Sequence, residues 1–131
     1  MKYYRLFNDK IILSTIPHFI ALFYTYKDLY YSIILMCATI TSILWHKSRE
    51  TSYRLLLLDY FFAGSLTGYE LCKGKEDDKY FIFLLNIGIL IFNKSMDYLA
   101  KYQILRYSKG HLIYHIISFS KTIYIAKINN N

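Results

Sequence analysis

The apolar residues of this chain are gathered into blocks, and few folds can accommodate them. Residues 29–45, LYYSIILMCATITSILW, contain no charged side chain, and further apolar runs stand at 11–26, 55–72, 80–92 and 112–128. Short charged segments such as HKSRE and KGKEDDK separate some of them. A surface helix of a soluble protein would instead space its apolar residues at i, i+3, i+4 and i+7. Blocks of this length approach the roughly 20 residues needed to cross the hydrocarbon core of a bilayer. The pattern predicts an all-α integral membrane helical bundle of about five transmembrane helices, one domain over residues 1–131. The spans are expected at 11–26, 29–46, 55–72, 80–93 and 111–128. An interfacial helix is expected at 95–108, where MDYLAKYQILRY spaces Leu, Ile and Tyr helically around Lys101 and Arg106, and Gly110 is expected to break the chain before His111.

Composition narrows the function. The formal net charge of +7 and the 19% aromatic content would suit nucleic acid, but the basic residues lie mostly between apolar blocks and form no continuous patch, which argues against a phosphate-tracking groove. The run at 11–26 is not read as a signal peptide, since it lacks a small-residue cleavage site and more apolar blocks follow. Pro17 is expected to kink it, with His18 beside it as a packed or interfacial residue. Cys37 and Cys72 lie in separate runs and read as reduced thiols. Gly64 and Gly68 offer the G-x-x-x-G spacing of close helix contact. Glu70 is expected at an interface, and Lys121 is expected to snorkel. With five alternating spans, ten Lys and Arg residues fall on the side of Met1 and of the turn at 47–53, against six on the other. The positive-inside rule then makes the first side, with the N-terminus, cytoplasmic.

One constellation in this layout carries chemistry. Ser42 and His46 stand one turn apart at the end of the second run, Asp59 stands early in the third, and His111 and His115 share one helical face at the start of the last. Alternating spans bring all five to the same side. Three neutral imidazoles can hold Zn2+ and leave a fourth position for water, whose pKa falls to about 7 on the metal. Asp59 is suited to assist by general acid–base catalysis, and Ser42 to donate to a developing oxyanion or orient a ligand.

These residues resemble a known family. S-x-x-x-H at the end of one span, an aspartate early in the next and H-x-x-x-H at the start of the final one are similar to the pattern of the alkaline ceramidase and adiponectin/progestin receptor (CREST) superfamily, which also includes lipases that remodel GPI anchors. The resemblance implies zinc on His46, His111 and His115, with Ser42 and Asp59 completing the site. It covers about 42–66 and 111–117. Members of that family usually have seven spans, so this chain would be a shortened relative, the loss of two consecutive spans preserving the direction of the last. The implied function is ceramidase-like: a zinc-dependent hydrolase of a lipid amide or ester, with membrane lipids as partners and no nucleic acid. The alternative is a non-catalytic receptor or scaffold of the same fold. A proton-relay or transport role, based on Asp59 and Glu70 facing inward, is third.

Overall fold

Most helices begin where the sequence supplies a cap or a break. The computed structural model describes residues 9–102, 104 and 106–130, and the expected cytoplasmic N-terminus, at residues 1–8, lies outside the described residues. The helices are, in order, α1 (Asp9–Thr15), α2 (His18–Thr25), α3 (Leu29–Lys47), α4 (Tyr53–Lys73), α5 (Glu76–Lys101) and α6 (Tyr107–Asn130). No strand occurs among the described residues. Pro17, which has no N–H to donate, divides the first apolar block. The chain passes it through two short-range bonds, Phe19 N–H to Ile16 O and Ile20 N–H to Pro17 O, both 2.9 Å, so α1 and α2 form one kinked rod. Asp28 caps α3 by accepting from Tyr31 N–H (3.1 Å), and Ser52 caps α4 by accepting from Leu55 N–H (3.4 Å). Glu76, Asp77 and Asp78 open α5, where negative charge complements the helix dipole.

The second half departs from the expected boundaries. In place of a separate interfacial helix at 95–108, α5 runs on through Lys101 and α6 begins at Tyr107. The cause is packing: Ala100, 1% exposed, clusters with Ile11 of α1 and Tyr107 of α6 and so holds the last turn of α5 against the bundle. Gly110 is buried inside α6 and does not break it, so His111 lies a full turn within the helix.

The rods close into a ring. α3 packs against α4 and against the kinked α1–α2 rod, that rod packs against α6, α6 against α5, and α5 meets α4 over a shorter stretch. Polar groups are concentrated inside the ring. Thr15, Thr39, Thr122, His46, Glu70 and Lys121 are all buried, whereas Leu13, Phe23, Leu29, Tyr30 and Ile91 are more than half exposed. The buried threonines satisfy their hydroxyls on carbonyls one turn back, Thr39 on Leu35 O (2.8 Å) and Thr122 on Ser118 O (3.1 Å). By length and composition two helices, Leu29–Lys47 and Glu76–Lys101, could cross a membrane, and the apolar stretch Ile11–Thr25 is shorter. The close contact expected at Gly64 and Gly68 is not made among the described residues: a side chain at either position would meet none of them within 4 Å. Cys37 and Cys72 are both free thiols.

Glu70 and Lys121 correct the expectation that both reach the bundle's ends. Both are buried, and the Lys121 amino group donates to Glu70 Oε2 (2.7 Å) and to Asn86 Oδ1 (3.0 Å), while the Tyr31 hydroxyl donates to Glu70 Oε1 (2.8 Å). Four helices thus meet on one ion pair. Neither charge could stay buried alone, because desolvation is costly unless each has a partner and its remaining hydrogen bonds are made. Glu70→Leu, which leaves Lys121 unpaired, should therefore destabilise the bundle by about 3–5 kcal/mol, and Glu70→Leu combined with Lys121→Met should recover most of that loss. Denaturation of the three proteins under one set of conditions checks this. A double variant as unstable as the single one would contradict it.

Candidate metal centre

At the other end of the ring, three histidines from two helices converge. His46, the penultimate residue of α3, places Nε2 3.1 Å from His111 Nε2 and 3.3 Å from His115 Nε2 on α6. One ligand atom of each lies within 4.8 Å of the others. His46 and His115 are buried and His111 is partly buried. Zinc lies about 2.0–2.1 Å from imidazole nitrogen, which makes the edge of its tetrahedron roughly 3.3–3.4 Å. The two separations from His46 match that edge, so the residues fit a metal ion with little movement.

What surrounds the rings fixes which nitrogen faces inward. His46 Nδ1 lies 2.9 Å from Glu50 Oε1, and the Tyr107 hydroxyl donates to the same oxygen at 2.9 Å. A carboxylate can only accept, so Nδ1 of His46 carries the proton and Nε2 offers a lone pair toward the other two histidines. Thr15 supports His115 in the same way from α1. Its hydroxyl donates to Ile11 O (3.1 Å), which leaves its oxygen, 3.3 Å from His115 Nδ1, to accept from that ring. Tyr107 also stacks on the His111 ring, with centroids 5.0 Å apart. Imidazole lone pairs directed at one point repel one another unless a cation or proton sits between them, and a carboxylate or hydroxyl behind the ring, as His46 and His115 have, is the usual support of a metal ligand.

Glu50 reaches His46 by an unusual path. It follows the end of α3, and both Arg49 (φ 56°) and Glu50 (φ 57°) are in the left-handed region, which costs a non-glycine residue roughly 1–2 kcal/mol. The turn is held by Arg49 N–H on His46 O (3.0 Å) and Glu50 N–H on Trp45 O (3.3 Å), and it folds the carboxylate back onto the imidazole. Strain of this kind persists where the surroundings enforce it, and here it sits beside the histidine cluster.

The remaining expected residues gather at the same place. Asp59, partly buried on α4, faces Ser42 as a side-chain hydrogen-bonding neighbour and is close enough to His46 and Glu50 for their charges to act on it. Tyr114 packs its ring against both His111 and His115, with centroids 5.5 Å from each. His18 is a packed residue, as expected: its Nδ1 bonds Thr15 O (3.1 Å) and its ring meets His115 and Phe119 edge-on. Sequence reasoning misses Glu50, Tyr107, Thr15 and Tyr114. The two tyrosines carry a signal, since they stand four residues before and three after His111 on the same helix. Glu50 depends on a non-helical turn, and Thr15 on a contact a hundred residues apart in sequence, and neither carries one. In comparison with known proteins, no family model, no curated protein and no solved structure matches the chain.

The geometry separates ligands from supports. His115→Ala should abolish stoichiometric binding of zinc or cobalt, whereas Glu50→Ala should weaken it by about 10–100-fold, the usual effect of removing the group behind a ligating imidazole. His18→Leu should leave it unchanged. Competition against a chromogenic chelator measures all three, and unchanged affinity in the Glu50 variant would remove its supporting role.

Proposed function

We propose that the protein is a multi-pass membrane protein with a zinc-dependent hydrolase site for a lipid amide or ester, related in plan to the ceramidase-like family that its motifs resemble. The observation that carries this reading is the convergence of His46, His111 and His115 beside Asp59 at one end of a helical ring whose outer face is apolar. The apolar exterior and polar axis favour a bilayer around the bundle, since soluble proteins rarely leave so much contiguous apolar surface in water. α4 and α6, at 21 and 24 residues, would also reach across about 30 Å of hydrocarbon.

Bound zinc would supply a Lewis acid and a water acidic enough to ionise near pH 7. His46, His111 and His115 would hold it, and Glu50 and Thr15 would hold the imidazoles. Asp59 is the carboxylate that would take a proton from attacking water and return it to the leaving group. Ser42 would orient that carboxylate from α3. Because His46 ends α3 and His111 stands one turn inside α6, the site lies near the end of the bundle, where a lipid's carbonyl region and water both reach. The excess of basic residues at this end favours the cytoplasmic face.

Asp59→Asn should retain the metal and lose turnover of lipid amides or esters by about 10²- to 10⁴-fold, as removal of general acid–base assistance does. Lipid profiles of membranes holding wild type and variant, with metal content measured on the same purified proteins, check this. Identical profiles with metal in both would favour the receptor or scaffold role. Cysteines introduced in the turns at 47–53 and 73–79 should be labelled from opposite sides, and labelling from one side would remove the spanning arrangement.

A further inference from the structure

α5 and α6 run antiparallel in one continuous register. Asn86 accepts from Lys121 (3.0 Å), Phe81 meets Tyr124 with ring centroids 5.9 Å apart, and Ala100 packs with Tyr107. That register brings Asn93 level with Tyr114, the residue whose ring abuts His111 and His115. Asn93 also stands one turn before Asp97 on the same face of α5, and the charges of Asp97 and of Asp59 both act on Tyr114. Asn93 therefore stands on α5 at the level of the histidine cluster, on the side of Tyr114 that Asp59 and Asp97 also act on.

The carboxamide oxygen of Asn93 is buried and has no hydrogen-bond partner. Native chains retain few such groups, and an amide at the end of an otherwise apolar helix segment, IGILIFN, invites an explanation. Two of the three histidines are backed from other helices. Glu50 and Tyr107 back His46, and Thr15 and His18 back His115 from the kinked rod. The side toward α4 and α5 is where Asp59, Tyr114 and Asn93 stand.

We propose that Asn93 is a substrate-positioning residue, its carboxamide oxygen accepting a hydrogen bond from an N–H or O–H donor next to the scissile carbonyl of a lipid held between α4, α5 and α6. This rests on the hydrolase reading and adds to it the residue that selects among substrates. A site built to pair with a substrate donor discriminates against an analogue that lacks it, because its own buried polar group is then left without a partner. Asn93 contributes nothing to the metal.

Three fluorescent probes of equal acyl length test the assignment: an amide of an amino alcohol, an amide of a plain alkylamine, and an ester with neither N–H nor hydroxyl. Asn93→Leu should lower kcat/KM at least about tenfold on the probes that carry the donor and leave the ester unchanged. A loss on both amides identifies the N–H as the donor, and a loss confined to the amino-alcohol amide identifies the hydroxyl. The variant should keep the electronic spectrum of the cobalt-loaded protein and melt no lower than wild type, since an unpaired buried oxygen has been removed. Asn93→Ser, which keeps a small acceptor, should fall between. Equal losses on all three probes, no loss on any, or a changed cobalt spectrum would overturn the proposal. If wild type hydrolyses none of the probes, the hydrolase reading fails separately, and fluorescence anisotropy then decides: amide binding weakened by Asn93→Leu supports the assignment, and binding that ignores the substitution, or no binding, overturns it.

Discussion

Every polar group drawn onto the axis of the ring must find its partner inside the ring. In the membrane setting proposed above, burying apolar residues would do little to choose one arrangement of helices over another, since either face of a helix can be apolar. The polar residues do the choosing. Tyr31, Glu70, Asn86 and Lys121 satisfy one another only when α3, α4, α5 and α6 stand in one rotation and one axial position. An error of one residue in α6 would turn Lys121 away from Glu70 by about 100° and bury an unpaired charge.

The same helix carries the opposite end. Lys121 lies about a turn and a half beyond His115 on α6, so the ion pair that fixes α6 at one level also fixes the height at which His111 and His115 present their nitrogens to His46. α4 is held in the same way, with Glu70 paired to Lys121 and Asp59 directed toward Ser42 and His46. The far end is tied off by the Tyr69 hydroxyl, which meets both oxygens of Asp28 (2.7 and 2.8 Å), the residue that also caps α3. A chain of modest size thereby holds a three-histidine cluster in place through a few polar ties between its helices.

The cluster itself is assembled from parts with different degrees of local freedom. His111 and His115 are set relative to each other by helical periodicity alone. His46 is at the end of α3, where periodicity gives little control, and there the left-handed turn at Arg49 and Glu50 supplies the missing restraint by folding a carboxylate onto Nδ1. Strain in the backbone is offset by a charge-assisted bond to the one histidine that its helix does not hold firmly.

Much of this was legible in the residues. The all-helical class, the turns and the meeting of His46, His111 and His115 near Ser42 and Asp59 follow from apolar blocks and the alternation of helix direction. The Pro17 kink follows from a missing N–H. Glu70 and Lys121 look like interfacial charges when each helix is read alone; only packing shows that they lie level with one another and neutralise. The end of α5 is not legible locally, because 95–108 is amphipathic and nothing in that stretch says that Ala100 will pack on Ile11 and Tyr107. Glu50 and Thr15 had no legible role, since one needs a backbone turn outside any repeating geometry and the other a neighbour from the far end of the chain. Which helices form, and which end of the bundle carries the histidines, are matters of periodicity and parity, and both can be read along the chain. Which charges pair and which nitrogens face one another depend on the rotation of each helix about its own axis, and that is settled only when the helices pack.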